Sequence, residues 1–354
     1  MNNTEKNNSK ETILKVKDYY GNVLETKDDL KTSACCTLDA PPSHIKKMLK
    51  NVHPIIQNKY YGCGSPLPVA AKNCTVLDLG CGTGRDAYLL SQIVGEKGSV
   101  IGVDMTDEQL EVANEFIDWH KNKFGYKKAN TKFVKAYIED LKTANIEDES
   151  VDVVISNCVI NLSPNKEKVF SEIFRVLKPG GELYFSDIFA SRRIPKNLQE
   201  DKVLLGECLG GTLYIEDFRR MLNSIGIPDY RVLQKRELKL EDKEIERKLG
   251  MIDFYSMTIR AFKVDLEDIC ENYGHVAFYN GTIKEHPHSF VLDDHHEFKT
   301  GLPYPVCGNT FNMLNQTRLK EHFKLTGDFS VHYGAFDCSN DSNKELQNSP
   351  ESCC

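Results

Sequence analysis

The sequence predicts an α/β protein: a mostly parallel sheet with helices on both faces, followed by a smaller C-terminal α+β module. Three observations predict it. Apolar runs of strand length alternate with amphipathic helical stretches between residues 75 and 188, a glycine-rich turn follows the first of those runs, and beyond residue 264 the alternation gives way to Pro-, Gly-, His- and Asn-rich sequence. Strands that alternate with helices, and are apolar on both faces, belong to sheets covered on both sides. A chain of 354 residues has room for two or three modules. We divide it into an N-terminal extension over 1–70, a main domain over 71–263, a C-terminal module over 264–338 and a tail over 339–354.

In the extension, Ile13, Val16, Tyr19, Tyr20, Val23 and Leu24 fall roughly at helical spacing, which predicts a short helical lead-in over 13–34. Ala40-Pro41-Pro42-Ser43 breaks the chain, and Ser43 is placed to cap a helix carrying Ile45, Met48, Leu49 and Val52. The main domain reads as strand 76–79, helix 86–94, strand 100–104, one amphipathic helix over 107–123, strand 132–135 and strand 151–156. Trp119 is expected to pack that long helix onto the sheet. A helix over 166–177 stops at Lys178-Pro179-Gly180-Gly181, where glycine frees the backbone and proline lacks a donor. Strand 182–188, helix 215–224 and an antiparallel pair, 230–238 with 254–262, close the sheet at one edge. The tail from residue 339 is polar with almost no aliphatic residues, so it cannot offset its ordering entropy and is expected to be disordered.

Composition excludes several functions. No apolar run approaches the ~20 residues needed to cross a bilayer, so no membrane partner is expected. A net charge of −7 and a pI near 5.9 offer no general attraction to a phosphate backbone, so no nucleic acid is expected either. The first residues resemble neither a secretion signal nor a transit helix, which makes the cytoplasm the expected compartment; a monomer is expected, although the sequence itself is silent on oligomeric state. Twelve cysteines in such a compartment stay reduced, and no Cys-x-x-Cys pair suggests zinc. Cys74, Cys81 and Cys270 read as packing or loop residues. His286, His288, His295 and His296, beside Asp293 and Asp294, lack a ligand spacing and read as surface residues.

Val76-Leu77-Asp78-Leu79-Gly80-Cys81-Gly82-Thr83-Gly84 sets glycines at alternate positions directly after a strand. The dinucleotide fingerprint spaces its glycines as G-x-G-x-x-G to seat a pyrophosphate, and this loop does not match it. S-adenosylmethionine carries no phosphate and needs instead a carboxylate for its amino group. Asp78 is the candidate for that role, with Gly80, Cys81, Gly82 and Gly84 giving backbone access. Asp104, at the end of the second strand, suits the ribose hydroxyls, and Met105 beside it suits adenine. Ile138 and Glu139 follow the third strand, where an apolar side chain and an acid would meet the adenine ring and its amine. Asn157 ends the fourth. Sites at the carboxyl ends of successive strands are where open α/β sheets bind ligands, and the ensemble predicts a class I methyltransferase, a Rossmann-like sheet.

The fourth strand runs into Ser156-Asn157-Cys158-Val159-Ile160-Asn161-Leu162, where a base-amino methyltransferase would carry two prolines and an aromatic; here there is a thiol. Two more cysteines stand among glycines, in Tyr60-Tyr61-Gly62-Cys63-Gly64 and Gly206-Glu207-Cys208-Leu209-Gly210-Gly211. Around the VLDLGCGTGRD loop, the YYGCG, SNCVINL and GECLGG segments resemble those of arsenite methyltransferases, over residues 35–263 and more weakly to the Cys353-Cys354 end. The resemblance implies arsenite or its thiol complexes as substrate and As(III) bound by Cys63, Cys158 and Cys208. It also implies an N-terminal redox cysteine, Cys35 or Cys36 with Cys35 preferred, and restoration of thiols by thioredoxin or glutathione, with detoxification as the outcome. Cys307, Cys338, Cys353 and Cys354 are read either as aids to arsenic capture or as a flexible thiol tail without a part in catalysis. The rival readings are a C- or O-methyltransferase of a small metabolite and a thiol-rich metalloid-binding protein that does not catalyse.

Overall fold

The computed structural model describes residues 41–59, 62, 64–206, 208–240 and 242–338, together with Ile13, Val16 and Lys17. The remainder of the lead-in, Cys35, Cys36, Cys63, Cys353, Cys354 and the tail from 339 lie outside the described residues. The chain divides into two compact units, the boundary falling between Val264 and Asp265.

In the first unit, α1 (Ser43–Leu49) and α2 (Pro54–Asn58) precede β1 (Thr75–Leu79), α3 (Arg85–Val94), β2 (Ser99–Asp104), α4 (Asp107–Glu115), α5 (Ile117–Phe124) and β3 (Thr131–Lys135). β4 (Val151–Asn157), α6 (Lys166–Val176) and β5 (Leu177–Ala190) follow. Then come α7 (Lys196–Gln199), α8 (Lys202–Gly206), β6 (Leu213–Tyr214), α9 (Ile215–Ser224), β7 (Arg231–Leu238), α10 (Lys243–Leu249) and β8 (Phe254–Phe262). The strands lie in the order β3-β2-β1-β4-β5-β8-β7, with β6 on the end of β5. β1 to β5 are parallel, and β8 runs antiparallel to both β5 and β7.

Alternate residues of the central strands feed two separate cores, which is why β1 and β4 are apolar on both faces. Leu77 and Leu79 join Phe170 and Ile173 of α6 and Phe218 of α9. Val76, Val153 and Ile155 join Ala87, Leu89 and Leu90 of α3 with Leu110 of α4.

The structure corrects five details of the sequence reading. Pro42, not Ser43, holds the cap position of α1, and Ser43 is its first helical residue. The helix expected over 107–123 breaks at Phe116 (φ −100°, ψ 8°) into α4 and α5. The break lets Phe116 stack on His53 at 4.0 Å and turns His120 inward onto Tyr88 at 3.5 Å. His120 accepts from the His53 amide through Nε2 and faces the Phe116 carbonyl through Nδ1, and burial lowers its pKa to about 4, so the ring is neutral. Trp119 meets the edge of His53 rather than the sheet and is 37% exposed. β5 begins at Leu177, which pairs with Val151, so the Lys178–Gly181 segment bulges within a longer strand instead of ending before it. In the second unit, His296 and Asp293 are buried and bonded to each other at 2.7 Å, not solvated.

The second unit holds β9 (His275–Tyr279), β10 (Ser289–Val291), β11 (Glu297–Lys299), β12 (Pro303–Val306), α11 (Gly308–Asn315) and β13 (Phe323–Thr326). β12-β9-β13 form one antiparallel sheet and β10-β11 a second, shorter one. Tyr279, Phe290, Phe298 and Phe323 form its aromatic centre.

Where β8 joins the sheet, Arg260 (2% exposed) pairs with Glu182 (0% exposed) at 2.5 Å and lies over the Tyr184 and Phe262 rings. Removing one member of a buried pair leaves the other charge without its counter-ion, so Arg260→Met should cost about 3–5 kcal/mol. Urea denaturation of the variant checks this; a loss below about 1 kcal/mol would show that the pair is dispensable.

Candidate cofactor and acceptor site

At the carboxyl ends of β1, β2, β3 and β4 a cleft of about 1110 Å³, including its open mouth, is lined by Asp78, Gly80, Cys81, Gly82, Asp104 and Met105 on one side and Ile138, Glu139, Asn157 and Cys158 on the other. Of the residues expected to bind the cofactor, only Gly84 is absent from this lining. It sits in the left-handed region at the start of α3, where a Cβ would lie 2.7 Å from the Phe133 ring, so its glycine serves helix-to-strand packing.

The loop after β1 is pinned by its backbone. The Gly80 and Cys81 amides donate to the Val103 carbonyl at 2.7 and 3.0 Å, and a Cβ on Gly80 (φ +69°) would fall 2.4 Å from Val159. Asp104 accepts the Gly82 and Thr106 amides at 2.9 and 2.8 Å, one on each oxygen. A carboxylate has about four acceptor sites, so each oxygen keeps a lone pair for a ligand hydroxyl. Burial raises the Asp104 pKa, and these backbone donors oppose it. Burial also raises the Cys81 pKa well above the usual thiol value, with Asp104 and Asp78 adding to it, so Cys81 is an inert thiol lining the loop.

Asp78 is 2% exposed, and its Oδ2 has no hydrogen-bond partner among the described residues. Burial raises its pKa well above the ordinary range, and Asp86 and Asp104 push the same way. A buried carboxylate oxygen without a donor is costly. It fits a cationic donor arriving from the cleft, and the ammonium of S-adenosylmethionine is such a donor.

Asn157, which lines the cleft, also holds the chain before β1. Its amide donates to the Gly64 carbonyl and to Asp86 at 3.0 and 3.1 Å, and its oxygen accepts the Gly64 amide at 3.2 Å. It therefore fastens the segment next to Cys63 to the end of β4. Glu139 accepts from the Ser163 hydroxyl, tying the loop after β3 to the loop after β4.

The two described cysteines of the expected arsenic site share an unusual backbone. Cys158 (φ +58°) and Cys208 (φ +61°) both occupy the left-handed region, and both are buried, at 4% and 0% exposure. A non-glycine residue there costs roughly 1–2 kcal/mol, and such strain tends to collect at functional sites. The Cys208 thiol lies 3.5 Å from the Cys158 carbonyl, and the Thr212 hydroxyl holds the Cys208 carbonyl at 2.7 Å. Gly211 allows this approach, since a Cβ there would fall 2.0 Å from the Asn161 carbonyl. Cys158 is disulfide-bonded, to a partner outside the described residues.

Three residues that the sequence reading missed stand behind these cysteines. Asn161 donates to Asp187 at 2.8 Å and to the Ile188 carbonyl at 2.6 Å. Lys166 has its pKa lowered to about 8 by burial, opposed by Asp187, Glu139 and Cys208, and burial raises that of Asp187 to about 6. Lys166 opens a helix and reads from sequence as a solvated charge; only the fold places it between the cleft and Cys208.

A parallel sheet of this order with an antiparallel edge, a glycine loop under a buried acid and a second acid on β2 define a class I S-adenosylmethionine-dependent methyltransferase. Residues 70–226 match the family model of a methyltransferase domain, and residues 273–351 that of the arsenite methyltransferase C-terminal domain. The chain is 49% identical to an arsenite methyltransferase of Aquipseudomonas alcaligenes over 91% of its length and 93% of that protein, and 46% identical to that of Mus musculus over 88% and 82%. The crystal structure of an arsenic(III) S-adenosylmethionine methyltransferase from Chlamydomonas reinhardtii is similar at a TM-score of 0.82 and 49% identity, covering 84% of this chain and all of that one. The chain belongs to the arsenite methyltransferase family.

The state of Asp78 sets a pH dependence. Only the carboxylate attracts an ammonium, and its pKa is raised, so affinity for S-adenosylmethionine should fall as pH is lowered through a range above the ordinary carboxylate value of about 4. Asp78→Asn should weaken binding by about 10- to 150-fold, the worth of a charged hydrogen bond, and flatten that profile. Calorimetric titration across pH checks both; unchanged affinity in the variant would remove Asp78 from the cofactor's ammonium.

Proposed function

We propose that the chain transfers a methyl group from S-adenosylmethionine to trivalent arsenic, taken as arsenite or a thiol complex and held by the thiolates of Cys63, Cys158 and Cys208. One observation carries this reading: the Cys208 thiol lies against the Cys158 backbone at the end of β4, and Cys158 itself lines the cofactor cleft.

The bound cofactor supplies an electrophilic methyl on its sulfonium sulfur. The protein's own residues do the rest by positioning. Asp78 and Asp104 fix the cofactor on one side of the cleft, and the cysteines fix arsenic on the other. Three thiolates leave the arsenic lone pair in place, so methylation needs no general base, because no proton has to leave the acceptor. Holding the reactants in a near-attack arrangement is then the main contribution to rate. Lys166, half-buried at the start of α6, lies within electrostatic reach of Cys208.

Forming the As–C bond uses the lone pair and raises arsenic to the pentavalent state. Return to the trivalent state takes two electrons, supplied by two protein thiols that close to a disulfide; Cys35, or its neighbour Cys36, is our assignment for the additional thiol. Thioredoxin or glutathione then reduces that disulfide by thiol exchange through a mixed disulfide. The disulfide at Cys158 supports a site whose sulfurs pass between reduced and oxidised states. Work in a reducing cytoplasm, as a monomer, with detoxification of arsenic as the outcome, completes the reading.

Arsenic speciation by chromatography with mass detection tests it, after incubation with arsenite, S-adenosylmethionine and a thiol reductant. The wild type should yield methylated arsenic. Cys158→Ser and Cys208→Ser should lose at least about 100-fold in rate, the scale of a lost positioning contact, while binding S-adenosylmethionine with affinity within about twofold. Without reductant the wild type should bind no arsenite at this site. Full activity in both variants would sink the thiolate site, and unmethylated arsenic in every sample would sink the arsenic reading.

A further inference from the structure

The second unit contains a cysteine cluster that the site above does not use. The sulfurs of Cys270, Cys307 and Cys338 all lie within 4.8 Å of one another. The sequence reading took Cys270 for a packing residue and left Cys307 and Cys338 without a settled part, so the convergence is a product of the fold.

Backbone ties on two sides of one stretch bring these residues together. The stretch beginning at Cys270 pairs with the end of the described chain: Glu271 bridges Ala335, the Phe336 amide donates to the Cys270 carbonyl at 2.7 Å, and the Asn272 amide donates to the Gly334 carbonyl at 2.8 Å. On its other side, the Gly308 amide donates to the Glu271 carbonyl at 2.9 Å, which sets the start of α11 beside the same stretch. Cys307 is the capping residue of that helix, its sulfur accepting the Thr310 amide at 3.4 Å with the Thr310 hydroxyl at 3.3 Å. The helix start thus fixes the position of the Cys307 sulfur. Cys307 is buried while Cys270 and Cys338 are half-buried, so the cluster has a closed floor and a reachable rim.

We propose that Cys270, Cys307 and Cys338 form a second tri-thiolate site that binds trivalent arsenic in the C-terminal unit. The donor set favours this occupant over a structural zinc ion. Structural zinc takes four protein ligands in a tetrahedron with sulfurs about 3.8 Å apart. Among the described residues the group comprises three sulfurs and no fourth His, Asp or Glu. Trivalent arsenic takes three thiolates and keeps a lone pair where the fourth ligand would stand. Capture exchanges bonds without oxidation or reduction: arsenous acid and three thiols give one arsenic bonded to three sulfurs and three molecules of water, each thiol proton leaving with a hydroxyl group. Only the identity of the occupant rests on the arsenic reading of the methyltransferase site; the thiol cluster itself does not.

The test is arsenic bound per full-length chain, measured by elemental mass spectrometry after desalting in a phosphine reductant that offers no competing thiol. In a Cys158→Ser, Cys208→Ser background, about one arsenic per chain should remain. Adding Cys338→Ser, at the half-buried rim, or Cys307→Ser should lower it at least tenfold, with the circular dichroism spectrum unchanged for the rim variant. Retention of arsenic in both added variants, or none in the background, would overturn the proposal. So would one equivalent of zinc in the purified chain that is lost with Cys338→Ser and not displaced by arsenite. Methylation by wild type alongside failure of the binding test would reject the second site and leave the first standing.

Discussion

The site depends on the parallel register of β1 with β4. Pairing of Asp78 with Ile155 and Leu79 with Ser156 brings the two strands to their carboxyl ends together, about 4.8 Å apart. The acid that would hold the cofactor's ammonium is thus one strand away from the backbone that delivers Cys158. The contact of Gly80 with Val159 is the direct outcome of that register, and it leaves no room for a side chain on the loop. A shift of one residue would reverse which face each side chain meets and would separate the carboxylate from the sulfur. Covering both faces with helices is what makes such a shift costly, because every residue of β4 except Asp152 is fully buried.

Around that register the molecule holds several arrangements that are unfavourable by themselves. Asp78 has a buried oxygen without a donor among the described residues, Cys158 and Cys208 sit in left-handed backbone, and Lys166 and Asp187 are charges driven toward neutrality by burial. They lie close together at one end of the sheet, while the rest of the first unit follows ordinary packing. A cation from the cleft would relieve the Asp78 carboxylate. The compensating stability resides in the apolar layers on both faces of the sheet and in the buried Arg260–Glu182 pair that attaches β8.

The sheet was legible in the sequence because strand runs and helical periodicity do not depend on distant residues. Strand 254–262 and helix 215–224 were read with their observed limits. What depends on tertiary contact was not. The break at Phe116 follows from stacking on His53, more than sixty positions earlier, and His296 is buried where its ring meets Tyr304 from β12. Asn157 lines the cleft where its position in the sequence suggests, but its bonds to Gly64 and Asp86 are set by the fold. The residues behind the acceptor cysteines carry no motif at all, since Lys166 at a helix start and Asp187 within a strand acquire their environment only when Gly211 packs on Asn161. The C-terminal thiol cluster was hidden for the same reason, its members being separated by more than thirty residues each.

In the proposed reaction, three sulfurs of the first unit hold the arsenic atom beside the cofactor. X-ray absorption at the arsenic edge tests it most directly, on the reduced chain carrying Cys270→Ser, Cys307→Ser and Cys338→Ser and loaded with one equivalent of arsenite. Three sulfur neighbours and no oxygen are expected, with one sulfur replaced by oxygen when Cys208→Ser is added. Two sulfurs or fewer in the first sample, or a coordination shell indifferent to Cys208→Ser, would contradict it.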